Sequence, residues 1–160
     1  MSRWRFYYHV VWATKNREPV IRELEDTEIR RSLVMTAEDL DLIPHAIGIM
    51  PDHLHFTVSI PPKVSVADAI RRLKGGSSHA VNVARGMTYP RFSWQPDYGA
   101  TTFSERSLDL VIAYLRNQRL HHAAASIWPD YELTADQQSA AAGFRPSARD
   151  LKSRAGPTRD

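Results

Sequence analysis

In His53-Leu54-His55-Phe56-Thr57-Val58-Ser59-Ile60, two imidazoles stand one residue apart. If the segment is a strand, Leu54, Phe56, Val58 and Ile60 enter a core together, and His53 and His55 share the opposite face. Two imidazoles so placed either converge on one metal ion or simply occupy an exposed strand face beside Thr57 and Ser59. A second group of reactive side chains lies further on, where Tyr114, Gln118 and His121 fall at i, i+4 and i+7 and share one helical face. Leu108, Val111, Ile112 and Leu115 form the adjacent apolar stripe. Such a helix would carry a phenol and an amide along the edge of its packed surface, within reach of a strand-borne metal. Alternatively, Tyr, Gln and His are only the boundary residues of an amphipathic helix. The chain has no cysteine, so a metal would have to be held by histidine, carboxylate or amide groups.

The elements that must position these groups follow from periodicity and punctuation. Arg5 to Thr14 is aromatic and β-branched and reads as a strand. Between Thr27 and Leu42 the residues Ile29, Leu33, Val34, Ala37 and Leu40 recur at helical spacing, with Asp26 or Thr27 as the N-cap. Ala46 to Met50 and His53 to Ile60 read as an antiparallel pair turned at Pro51-Asp52. Ser65 opens a second helix with Val66, Ala69, Ile70 and Leu73 on its buried stripe, and Gly75-Gly76-Ser77-Ser78 is expected to interrupt it before a polar continuation to Ala84. Gly86 to Gly99 reads as a loop and Ala100 to Phe103 as a short strand. A third helix, capped by Ser104 or Ser107, runs to about His122. This order gives an α+β, ferredoxin-like split βαβ plan with an antiparallel sheet, helices on one face and an added C-terminal helix. Residues 1–133 are read as one domain and residues 134–160, low in periodicity, as a poorly structured tail.

With 160 residues, 42% hydrophobic and 24% charged, the composition is that of a globular domain, and no apolar run has the length of a membrane span. The aromatic start Met1-Ser2-Arg3-Trp4-Arg5-Phe6 is unlike a secretory leader, so a cytoplasmic location is expected. A net charge of +3 and a pI near 9.4 suit a polyanionic partner only weakly.

Taken together, Met50-Pro51-Asp52-His53-Leu54-His55, Leu73-Lys74-Gly75 and Tyr114-x-x-x-Gln118-x-x-His121-His122 resemble the HUH single-tyrosine transposases. That family includes single-strand insertion-sequence transposases and REP-associated tyrosine transposases. Trp12-Ala13-Thr14-Lys15-Asn16-Arg17 and Tyr98-Gly99-Ala100 extend the likeness, which spans about residues 4–130. The resemblance implies that His53, His55 and Gln118 bind a divalent metal, magnesium or manganese, and that Tyr114 is the catalytic nucleophile. His121 and His122 would be supporting groups or helix-end residues. It further implies cleavage and rejoining of single-stranded DNA with hairpin ends through a 5′-phosphotyrosine, by a homodimer without membrane association.

Arg3, Arg5, Lys15, Arg17, Arg71, Arg72 and Lys74 are candidate phosphate contacts, or else a solvated face. Trp4, Tyr7, Tyr8, Trp12, Trp94 and Trp128 are candidates for base stacking, or else core and rim. Two other readings keep the fold. One is a domesticated hairpin-binding protein with a structural or regulatory role. The other is a metal-dependent hydrolase in which Tyr114 is merely structural.

Overall fold

The computed structural model describes residues 4–123. The chain runs β1 (Tyr7–Ala13), α1 (Glu23–Asp39), β2 (Ile43–Ile49), β3 (His53–Ser59), α2 (Val66–Ala84), β4 (Gly99–Phe103), α3 (Leu108–Arg116) and α4 (Gln118–Ala123), with 3₁₀ turns at Lys15–Arg17 and Glu105–Ser107. The four strands form one sheet in the order β2-β3-β1-β4, and every neighbouring pair is antiparallel. This is the expected α+β plan, with β3 inserted between the two strands that α1 connects. The proposed tail at residues 134–160 lies outside the described residues. Among those described, no helix is long and apolar enough to cross a membrane.

Alternation in β1 and β3 sends Val10, Trp12, Leu54, Phe56 and Val58 into a core closed by Ile29, Leu33, Ala37, Ile70 and Leu73 from α1 and α2. Val34, expected on that buried stripe, is 39% exposed. Helix α1 begins at Glu23, before the expected caps Asp26 and Thr27, because Glu25 closes its first turn. One Glu25 carboxylate oxygen accepts the Arg22 backbone N–H at 2.8 Å, and the other accepts Arg85 Nε at 2.7 Å. These bonds satisfy an end donor and place negative charge at the positive end of the helix. The helix ends with Asp41 at φ 55°, and Leu42 N–H reaches back to the Ala37 carbonyl at 2.8 Å, a left-handed closure of the last turn.

Three expectations about the helices are corrected. Gly75 and Gly76 do not interrupt α2, which is continuous through Ala84. A Cβ on Gly76 would stand 3.1 Å from Thr36 Oγ1 and 3.3 Å from Ser32 Oγ, so this glycine lets α1 and α2 approach closely. The third helix breaks at Asn117 into α3 and α4. Nor are all helices on one face. Val111, Tyr114 and Leu115 of α3 pack with Ala46 of β2 and Phe103 of β4, and strand parity puts these two residues on the side away from α1 and α2. Consequently both faces of β3 are buried along its whole length. The apolar stripe of α3 needed a surface of its own, and the sheet had one face left.

Candidate active site

The strand face beneath α3 carries His9 on β1, Gly48 on β2, and His53, His55 and Thr57 on β3. The reading of the histidine pair as exposed-face residues is overturned, since His53 is 5% exposed and His55 0%. Burial of two imidazoles requires partners, and each ring has one. His53 Nδ1 is 2.6 Å from Asp52 Oδ1. That bond, with the imidazole's charge and the Arg17 guanidinium, holds the Asp52 carboxyl below its ordinary range against the opposing effect of burial. Arg17 Nη1 donates to the second Asp52 oxygen at 3.2 Å. His55 Nδ1 is 3.0 Å from His9 Nε2, and the two rings are stacked with centroids 5.1 Å apart. With both Nδ1 atoms so engaged, Nε2 is the nitrogen each ring could present to a metal. A carboxylate behind one imidazole and a second imidazole behind the other fix the ring orientations.

Gln118 comes from the opposite direction, at the start of α4. It is 2% exposed, and both its amide atoms are buried with no hydrogen-bond partner among the described residues. Its side chain lies directly over Gly48, where an added Cβ would overlap Gln118 Oε1 and stand 3.2 Å from the Leu115 carbonyl oxygen. Gly48 is the β2 partner of His55, so the amide is delivered beside the histidine pair. The Thr57 hydroxyl on the same face is likewise buried without a hydrogen-bond partner among the described residues. An unbonded buried amide costs about 1–3 kcal/mol, which is offset if it serves a group that the polypeptide does not supply. Two imidazoles and an amide oxygen are a donor set that a divalent metal can use while keeping coordination positions open. Among the described residues, no group of three or more His, Cys, Asp or Glu could hold a metal, so the amide is needed to complete any set of three.

Tyr114 is one turn before Gln118 and is 2% exposed, its ring packed in the small cluster beneath α3. The backbones of His121 and His122 lie in α4, while their side chains fall outside the described set, as do Arg3 and Trp128. The sequence reading missed His9, Gly48 and the role of Asp52. Asp52 was adjacent to the motif and open to suspicion, but His9 becomes visible only once β1 is in register with β3.

The basic candidates do not form one cluster. Arg5 pairs with Glu105 and Arg71 with Asp68 at 2.6 Å. Lys15 and Arg72 are exposed, with no salt bridge among the described residues. Lys74 donates to three consecutive carbonyls, those of Gln95, Pro96 and Asp97, at 2.7, 2.8 and 3.0 Å. Burial lowers its pKa, with Asp97 opposing. An ammonium so engaged is first of all a loop anchor. Accordingly, Lys74→Met should lower stability by about 1 kcal/mol and speed amide exchange across residues 94–98. The salt dependence of DNA binding should stay unchanged, whereas Arg72→Ala should reduce its slope by about 0.7 if Arg72 meets a single-strand phosphate. Salt titrations and hydrogen exchange on both variants check this.

The matching family model, described as "Transposase IS200 like", covers residues 2–118. The ISDra2 transposase TnpA of Deinococcus radiodurans is 30% identical over 122 residues, covering 69% of this chain and 82% of the relative. A crystal structure of a Deinococcus radiodurans R1 protein assigned as a transposase superposes with a TM-score of 0.58 at 27% identity, over 74% of this chain and 98% of that one. A REP-associated tyrosine transposase, solved bound to a REP hairpin, shares the fold with a TM-score of 0.58 at 16% identity, over 91% and 89% of the two chains. A family match over most of the chain, with a 30% identical relative and the same fold, makes this chain a member of the IS200-like transposases, the HUH single-tyrosine family.

Proposed function

We propose that the chain cuts and rejoins single-stranded DNA through a 5′-phosphotyrosine, with Tyr114 as nucleophile and His53, His55 and Gln118 as the ligands of a divalent metal. The observation that carries the reading is the buried, unbonded Gln118 amide, seated over Gly48 beside His55 and one helical turn from Tyr114. Magnesium or manganese, when bound, would polarise the scissile phosphate and stabilise its developing charge. Asp52 and His9 hold the two imidazoles in orientation. Tyr114 loses its phenolic proton and its oxygen bonds to phosphorus as the bond to the 3′ oxygen breaks; that oxygen takes up a proton and leaves as a 3′-hydroxyl. Rejoining reverses these steps with another 3′-hydroxyl, so the bond energy is kept and no nucleotide cofactor is consumed. The phenol is buried, so α3 must shift on the sheet before a strand can reach it.

Hairpin-bearing ends are the proposed substrate, supported by the fold shared with the hairpin-bound relative. A homodimer, one tyrosine per cut end, is the proposed assembly. Leu110 and Leu120, 58% and 70% exposed, offer apolar surface that a second copy could cover. The test is to incubate the pure protein and manganese with a hairpin-bearing strand labelled at its 3′ end. A labelled protein band surviving denaturation is the expected result. Label transferred only from a 5′-labelled strand would reverse the proposed polarity, and cleavage without any adduct would favour the hydrolase.

A further inference from the structure

Two of the motifs singled out in the sequence, Leu73-Lys74-Gly75 and Tyr98-Gly99-Ala100, have no part in the strand-cutting chemistry, yet they meet in space. Lys74, Gly75 and Tyr98 line a hollow of about 340 Å³ between α2 and the segment before β4, with Ile70, Trp94 and Pro96 among its apolar walls. Its size is within the range of small-ligand sites. The wall is fixed: Lys74 ties down three carbonyls of the segment, and Trp94 Nε1 donates to Ser77 Oγ at 3.0 Å.

Gly75 supplies the second, independent observation. A glycine inside a helix is less favourable than alanine, and such a cost usually has a packing reason. Gly76 has one, in its approach to α1. A Cβ on Gly75 would meet nothing within 4 Å, so nothing in the described chain requires this glycine. The space it leaves belongs to the hollow.

The charge and position of the hollow narrow the occupant. Arg71 and Lys74 are its charged lining residues, and no carboxylate side chain lines it. Its outer segment is bound to the end of the sheet that carries the metal-site strand. Trp94 bridges Thr14, Gln95 N–H donates to the Ala13 carbonyl, and Thr14 N–H donates to the Asp52 carbonyl beside His53. Arg71 is paired with Asp68 and Lys74 with three carbonyls, so this largely apolar slot beside the Trp94 and Tyr98 rings suits the face of a planar base rather than a phosphate.

We infer that the hollow between α2 and the Trp94–Tyr98 segment receives one unpaired nucleobase of the bound DNA strand, with Gly75 leaving room for it. The inference rests on the single-stranded DNA reading above. It makes base capture on α2 a binding step separate from the chemistry at Tyr114.

The test uses the full chain and a single strand carrying 2-aminopurine at each position in turn. Strong quenching at one position is expected, and an abasic spacer there, which keeps the phosphates, should weaken binding roughly five- to a hundredfold. Gly75→Leu, which favours the helix and fills the hollow, should raise the melting temperature by roughly 2–4 °C. It should bind the intact strand as weakly as the parent binds the abasic one, with no further loss on the abasic strand and no change in salt slope. Should Gly75→Leu fold poorly, Tyr98→Ala is expected to abolish the site-specific quenching. Uniform quenching with no abasic effect, or parental affinity in folded Gly75→Leu, would overturn the inference. Adduct formation is scored separately. Loss of the Tyr114 adduct with position-specific quenching intact would refute the strand-transfer reading and leave the base site standing.

Discussion

Tyr114→Phe should bind the hairpin-bearing strand as the parent does and form no covalent adduct, with cleavage reduced by a factor on the order of 10⁴ or more, the scale on which covalent enzymes lose rate with their nucleophile. The substitution removes one oxygen and keeps the ring. Since Tyr114 is 2% exposed and packs with Val111 and Leu115, retaining the ring retains most of what holds α3 against β2. A melting temperature close to the parent's would therefore show that the lost activity is chemical. Tyr114→Ala would not separate the two, because it would also leave a cavity beneath α3. The readings part cleanly on this variant. A hydrolase using the histidine pair to activate water would keep cutting with phenylalanine at 114. A domesticated binding protein would bind equally well with either residue and cut with neither. Quantified cleavage, adduct and affinity for the two proteins decide among the three.

What was legible in the sequence was whatever neighbours along the chain encode. Strand alternation in β3 puts Leu54 and Phe56 opposite His53 and His55, and the core holds the first two but not the histidines. Helical spacing put Gln118 one turn beyond Tyr114, and that relation survives the break at Asn117. Pairings across distance were not legible. His9 and His55 are 46 residues apart, and only the antiparallel register, Val11 opposite His55 and His9 opposite Thr57, brings their rings together. Gly48 looked like any small residue in a short apolar strand until α4 lay across it. For the same reason the spacing alone is compatible with a second β3 face that is either solvent-exposed or buried. The stripe Val111 and Leu115 announced that α3 must be buried, but not against which surface. Helix α2 runs through Gly75-Gly76 although glycine disfavours a helix, and the close approach to α1 that Gly76 permits is not encoded in local propensity.

The proposed metal site is best tested by a set of variants that fail for different reasons. Leu54→Ala, at 0% exposure, should cost roughly 2–5 kcal/mol of stability, as truncated buried leucines do. His53→Ala and His55→Ala are also buried, so some loss of stability is expected of each, about 1–3 kcal/mol, from the cavity and from an abandoned hydrogen-bond partner. Their larger effect should be on chemistry. Losing a metal that stabilises the phosphate by several kcal/mol lowers cleavage roughly a hundred- to ten-thousandfold. Gly48→Ala is the sharper probe because it changes none of the proposed ligand residues. Its new methyl would overlap the end of the Gln118 side chain, which can swing away, and stand 3.2 Å from the Leu115 carbonyl, which needs only a small shift. The fold should therefore survive while the amide is displaced. If Gln118 is a ligand, Gly48→Ala and Gln118→Ala should each weaken manganese binding by about ten- to a hundredfold. The double variant should then be no worse than either single, because the second change removes nothing further. Calorimetric titration of the parent, both singles and the double provides that cycle. Additive losses would mean that Gly48 acts through packing alone. Undiminished metal affinity in Gln118→Ala would take the amide out of the site and leave its burial over Gly48 without a ligand to explain it.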